Sequence, residues 1–315
     1  QSGIRVVGPN CMGIYCPEGG LAFQPVFPKA AGPVGFFSQS GQMAGMFVMK
    51  AATQGLTFSK VVSFGNARDL KAHDFLNYLV RDEKTKIIGS YIEGLQEGHV
   101  FMELAGTVTR EKPLVIYKGG LTEGGSRAVM SHTASIAGSS QLWQALCKQY
   151  GIISVASLDE MIFTLSALQR LSLPKGKKVV ILGGAGGGSV TMTDIAEREG
   201  LKVPKLSEAT IRGLQTFVEL QGSSVQNPLD IMPALLGPGR FEMLIDLLNQ
   251  DDQIDALFFA QRMDLFYRVL GPSLIGDIID MTIRAAKMFK KPTFIIVEPT
   301  ESLEEEHFRA LAMER

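Results

Sequence analysis

The stretch VGFFSQSGQMAGMFVMKAATQG, residues 34–55, decides how this chain is read. VGFF is apolar without polar alternation, the pattern of a parallel strand covered on both faces. SQSG then breaks the run, and the residues after it carry apolar side chains at helical spacing until Gly55. Strand, short turn and helix in this order form the first half of a βαβ unit, which needs further parallel strands beside it.

Those strands are present on the C-terminal side. KVVSF (60–64), KIIGSYIE (86–93), LVIY (114–117) and IISV (152–155) are equally short and apolar, and the amphipathic stretches AHDFLNYLVRD and GHVFMELAGTVTR lie between them. The pattern predicts an α/β fold, with a five-strand, doubly wound parallel sheet over residues 32–171. On the N-terminal side, residues 1–31 predict a strand at IRVV, then GPNCMG, then a Pro/Gly-rich linker. The chain starts inside that strand, so its natural beginning is expected to lie upstream. SLPKGKK (172–178) marks a boundary. After it come KVVILGG, a glycine-rich turn, the helical patterns SVTMTDIAEREG and SEATIRGLQTFVEL, the segment NPLDI and the strands DALFFA and TFIIV. A second doubly wound domain is expected over residues 172–315, ending in the helical pattern ESLEEEHFRALAMER and cut short before a final strand.

Composition narrows the function. A chain of 315 residues with net charge −1 offers no basic footprint for nucleic acid or an anionic membrane. Three cysteines, Cys11, Cys16 and Cys147, form an odd set that suits a reducing compartment; Cys11 and Cys16 could begin a metal site, but their spacing is wide and no second Cys or His pair follows, so ordinary thiols and no metal are expected. No apolar run is long enough to span a bilayer. The expectation is a cytoplasmic protein with small-molecule ligands.

In open α/β sheets the ligands lie beyond the carboxyl ends of the strands, and three loops fall there. In the first, Ser38, Gln39, Ser40 and Gly41 open a helix whose free N–H groups suit an anion, although a serine before a helix is also an ordinary N-cap. The second is GGAGGGS (183–189), which includes Gly186, Gly187 and Gly188. It lacks the lysine of a nucleotide P-loop, and the following KVPKLS supplies no acid for a ribose, leaving a phosphate cradle or a simple tight turn. The third is KGGLTEGGSRAVMSHTASIAGSSQ (118–141), a long glycine-rich loop between a strand and a helix. Among the four histidines, His73 and His99 start predicted helices and His307 lies on a charged helix. Only His132 sits in a glycine-rich loop past a strand end. A nucleophilic histidine needs an acceptor that fixes its tautomer, and Glu93, ending the apolar strand IIGSYI, either supplies one or is a solvated acid at a strand end; its place toward the ligand crevice favours the first. Lys118 either adds positive charge there or is a solvated lysine at a strand end.

The ordered motifs GPNCMG, GFFSQSG, VVSFGNARD, IIGSYIEG, KGGLTEGGSRAVMSHTASIAG, ILGGAGGGSVTMTD and NPLDI resemble the NDP-forming acyl-CoA synthetase family, which includes ADP-forming acetyl-CoA synthetase and is related to the succinyl-CoA synthetase α subunit. The resemblance implies two flavodoxin-like domains, preceded by the tail of a CoA-binding Rossmann domain in residues 1–31. It implies that His132 is phosphorylated, that Glu93 orients it, and that Ser38 to Gly41 hold the phosphate. Gly186, Gly187 and Gly188 would supply a second helix terminus, and Asn10 would lie near coenzyme A. The implied reaction converts acyl-CoA and phosphate into an acyl phosphate, then phosphohistidine, then ATP from ADP with Mg²⁺, the glycines hinging a loop that swings between sites. Most of the CoA-binding domain and the whole ATP-grasp domain are missing from these residues, so an ATP-grasp domain or subunit and an oligomeric assembly are expected. The alternative is a non-catalytic module sensing CoA or nucleotide for a protein acyltransferase.

Overall fold

The computed structural model describes residues 3–133, 139–183, 186–219, 223–236, 239–261 and 272–297. Two compact units divide the chain, Gln1–Arg170 and Leu171–Arg315.

The first unit is built on six strands: β1 (Gly13–Tyr15), β2 (Ala31–Ser38), β3 (Phe58–Ser63), β4 (Ile87–Ile92), β5 (Leu114–Lys118) and β6 (Ile153–Val155). Their order is β1-β3-β2-β4-β5-β6, with β1 antiparallel and the rest parallel. Counted among themselves, the parallel strands follow the flavodoxin order, with its switch point between β2 and β4. Helices α1 (Gly41–Thr53), α2 (Ala72–Arg81), α3 (Gly98–Val108), α4 (Glu123–Thr133), α5 (Ser140–Tyr150) and α6 (Leu158–Arg170) complete the unit.

Adjacent residues of β2 serve opposite cores, which is why VGFF carries no polar alternation. Phe37 packs with Ile88, Leu76, Leu79, Phe101 and Trp143 on one face of the sheet. Phe36 packs with Val61, Phe47, Val48, Met161 and Leu165 on the other. Both phenylalanines are fully buried, each worth roughly 1.5–3 kcal/mol of burial. The end of β2 is thereby fixed from two sides, together with the turn that follows it.

Three expectations are corrected. IRVV is no strand: Val6 and Arg5 bind the Asp69 carboxylate instead, with Val6 N–H donating to Oδ2 at 2.7 Å and Arg5 Nε at 3.1 Å. Positive φ at Gly3, Gly8, Asn10 and Gly13 interrupts extended pairing there, and the edge position goes to Gly13–Tyr15. The Pro/Gly-rich segment after it lies on the sheet, since Tyr15 Oη donates to Pro28 O at 2.6 Å and the Tyr15 and Phe27 rings meet at 5.1 Å. The expected glycine-rich loop is helical from Glu123 to Thr133. Thr122 Oγ1 caps that helix by accepting from Gly125 N at 3.1 Å, and Arg127 pairs with Glu123 one turn away.

In the second unit β7 (Val179–Gly183), β8 (Ala256–Gln261) and β9 (Thr293–Val297) form a parallel sheet in that order. Helices α7 (Gly187–Arg198), α8 (Glu208–Gln215), α9 (Arg240–Gln250) and α10 (Pro272–Met288) accompany it. Val180, Leu182, Leu257 and Phe259 pack against Leu214, Leu244 and Leu248 on one side. Residues 298–315, with His307 and the last helical pattern, lie outside the described residues.

Candidate functional site

The switch point brings the ends of β2 and β4 together, and the turn after each strand is held by its own polar groups. Ser38 is fully buried; its hydroxyl donates to Ser40 O at 2.6 Å and accepts from Ser40 N at 3.2 Å, closing the turn. Ser40 caps α1, accepting from Met43 N at 3.3 Å, and no acidic residue occupies the first turn. Among the described residues no acceptor meets the N–H groups of Gly41 and Gln42, so the positive end of α1 is open to an anion.

Glu93 follows β4. Its N–H and that of Gly94 donate to Gln39 Oε1 at 2.8 and 3.0 Å, and one carboxylate oxygen accepts from Tyr91 Oη at 3.2 Å. Burial first, then the Glu93 charge and hydrogen bond, push the Tyr91 phenol far above its ordinary range, which keeps it a donor. Lys118 is not the solvated strand-end lysine. It is 7% exposed, and its ammonium is committed to Glu93 O at 2.5 Å and Gly119 O at 2.7 Å. Burial lowers its pKa, with Glu93 opposing.

A third segment closes the site. Residues 8–12 lie over the loop after β3: Asn66 N–H donates to Pro9 O at 3.0 Å, Arg68 N–H to Gly8 O at 2.9 Å, and Met12 N–H to Ser63 Oγ at 3.1 Å. Gly65, at φ +57°, makes this approach possible, because a Cβ there would stand 2.2 Å from Asn10 O. Asn10 itself has φ 54° and donates from Nδ2 to Asn66 Oδ1 at 3.3 Å. The result is a cavity of about 320 Å³ lined by Asn10, Gln39, Ser40, Gly41 and Glu93, together with Cys11, Met12, Gln42 and Asn66. The sequence pattern weighs Cys11 only as a metal ligand and passes over Met12, Gln42 and Asn66; the signal for Asn66 is its place just after a strand end, in FGNARD.

Of the residues singled out in the sequence, Asn10, Gln39, Ser40, Gly41 and Glu93 share this cavity, while Ser38 supports it from beneath. The backbone of His132 belongs to α4; its side chain lies outside the described residues. His73 stands near Asp74 and Glu97, at 3.8 and 3.9 Å, and does not line the cavity. Among the described residues no group of three or more His, Cys, Asp and Glu side chains is arranged to hold a metal, and no helix is long and apolar enough to cross a membrane.

Gly186, Gly187 and Gly188 open α7 in the second unit. Gly186 has φ 51°, and its N–H donates to Asp230 Oδ2 at 3.2 Å, so a carboxylate of NPLDI already stands at this helix terminus. Asn227 of the same segment accepts from Ile181 N at 3.0 Å and donates to Val179 O at 2.8 Å, stitching it to β7.

A flavodoxin-order sheet, an open helix terminus and a carboxylate meet at the switch point of an α/β domain, an arrangement chemically suited to an anionic ligand. Residues 31–168 match the family model described as the succinyl-CoA ligase like flavodoxin domain. The chain is 38% identical over 255 residues to the alpha subunit of ADP-forming acetate–CoA ligase II from Pyrococcus furiosus, covering 81% of this chain and 55% of that subunit. It is 33% identical over 322 residues to ADP-forming acetate–CoA ligase II from Archaeoglobus fulgidus, covering 99% and 46%. Among solved structures, dinucleotide forming acetyl-coenzyme A synthetase 1 of Ca. Korarchaeum cryptofilum, in complex with phosphate and ADP, superposes with a TM-score of 0.81 at 27% identity, over 98% of this chain and 67% of that one. The chain belongs to the NDP-forming acyl-CoA synthetase family. It spans about half the length of these curated relatives.

Proposed function

We propose that this chain is the acyl- and phosphoryl-transferring part of an ADP-forming acyl-CoA synthetase, an acid–thiol ligase. The observation that supports this best is the cavity at the switch point, where the open terminus of α1 faces Glu93 and Asn10. Phosphate binds the N–H groups of Gly41 and Gln42 beside Ser40, in the turn that Ser38 and Gln39 complete. Its attack on the acyl-CoA carbonyl forms an acyl phosphate and releases coenzyme A as the thiol. Neutral His132 attacks the phosphorus and the carboxylate leaves; Glu93 accepts from the other ring N–H and stabilises the cation that forms. The phosphoryl group then passes to ADP, giving ATP and restoring the histidine.

In this reading residues 1–31 are the end of a CoA-binding domain, with Asn10 facing the coenzyme, and residues 32–171 and 172–315 are the two ligase domains. Gly186, Gly187 and Gly188 offer the second helix terminus. An ATP-grasp domain or subunit binds the nucleotide with Mg²⁺ in a cytoplasmic, oligomeric enzyme. The relatives' names do not favour a sensing module. The test is ATP formation from acyl-CoA, ADP and phosphate by the intact protein with its nucleotide-binding part. Glu93→Gln should lower kcat by roughly 10²-fold or more, the scale of a positioned acid–base group; an unchanged rate would remove Glu93 from the reaction.

A further inference from the structure

Glu93 sits where β4 parts from both neighbours. The last rung toward β2 is Gln39 N–H to Tyr91 O at 2.9 Å, and the last toward β5 is Gly119 N–H to Ile92 O at 2.8 Å. Past these rungs the peptide groups around Glu93 have no strand to pair with, and buried peptide groups left unpaired are costly. Two side chains continue the ladder. Gln39 Oε1 takes the N–H groups of Glu93 and Gly94, and Lys118 Nζ takes the carbonyl of Glu93 together with that of Gly119. Gly119 allows this close approach, since a Cβ there would lie 2.8 Å from Tyr91 Oη and 3.5 Å from Glu93 Cγ. With Tyr91 on Oε1, Glu93 is held at its N–H, its C=O and one carboxylate oxygen, while Oε2 has no partner among the described residues. A lysine desolvated only to grip two carbonyls is an expensive choice for a strand end unless the position of those carbonyls matters.

We infer that Gln39 and Lys118 are positioning residues that fix the backbone of Glu93 and thereby aim its free carboxylate oxygen at the histidine to be phosphorylated. The inference rests on the proposed role of Glu93. It assigns Gln39 to the carboxylate rather than to phosphate, and Lys118 to the backbone rather than to the transferring charge.

The test is the rate of phosphohistidine formation from labelled ATP and Mg²⁺ in the intact protein with its nucleotide-binding part, by rapid quench. Gln39→Ala and Lys118→Met should each slow it by roughly 10- to 100-fold, the range expected for a misplaced group. In a Glu93→Gln background, itself slow, each should add less than about twofold, because the aimed carboxylate is already gone. Gln39→Ala keeps the test open should Lys118→Met fail to fold. Single variants at the wild-type rate would overturn the inference, and so would equal slowing in the Glu93→Gln background. A Glu93→Gln protein phosphorylated at the wild-type rate would instead sink the role of Glu93, and slow Gln39→Ala beside it would show an effect that does not pass through that carboxylate.

Discussion

The turns after β2 and β7 occupy the same place in their units, each joining a buried parallel strand to a helix, yet they are built differently. The β2 turn leaves the N–H groups of Gly41 and Gln42 without an acceptor among the described residues, and Ser38 and Ser40 shape it from inside. The β7 turn places Asp230 on Gly186 N, and added Cβ atoms at Gly186 or Gly187 would meet nothing within 4 Å among the described residues. Glycine sequence alone therefore says less about anion binding than what stands at the helix terminus. The first turn is tightly enclosed and open to a ligand; the second is roomy and already carries a negative charge.

Gly65→Ala should break the first site most severely. A left-handed φ alone costs roughly 1–2 kcal/mol, and the clash with Asn10 O adds to it by pushing residues 8–12 off the loop. Gly187→Ala should change stability by less than about 0.5 kcal/mol. Trp143 is the chain's single tryptophan and is buried in the first unit, so its fluorescence follows that unit's denaturant unfolding, while far-ultraviolet circular dichroism follows both. Equal losses in the two variants would erase the contrast.

Ser40→Ala removes the α1 cap and should cost about 1 kcal/mol in the Trp143-reported transition, with weaker phosphate binding by titration calorimetry. Asp230→Asn should do the reverse in the second unit. Removing the carboxylate from the α7 terminus should improve phosphate binding there by roughly 0.3–1 kcal/mol, read from amide shifts of Gly186 to Gly188. Unchanged shifts on phosphate addition would show that Asp230 is not what separates the turns.

Acid should not separate the units. Burial alone would raise the carboxyls of Asp82 and Asp251, but Lys60 and Thr85 hold Asp82 below the usual carboxylate range, and Thr210, Ser207 and Gln253 do the same for Asp251. A depressed folded pKa gives stability that is complete above the unfolded value near about 3.9 and lost as pH falls through the folded one. Both units should therefore lose stability together below about pH 4, and Asp82→Asn should flatten that loss only in the Trp143 signal.

Much of this was legible in the sequence because doubly buried strands are continuous apolar runs, and residues such as Phe36 and Phe37 have no other explanation. The turns that form the cavity were legible for the same reason, since each ends such a run. What escaped depended on non-local register. IRVV has strand character, but its peptide groups go to Asp69 and the β3 loop. Lys118 and Gln39 owe their tasks to where two ladders stop, which no local pattern records. The helix Glu123–Thr133 was hidden behind its glycines, although Thr122 and the Glu123/Arg127 pair announced it.

His132 is the proposed carrier of the phosphoryl group. The intact protein, incubated with γ-labelled ATP and Mg²⁺ in the presence of its nucleotide-binding part, should take up label that is stable in base and labile in acid. Peptide mapping should place it on residue 132, and His132→Asn should abolish it. Label on another residue, or undiminished label in His132→Asn, would contradict the account.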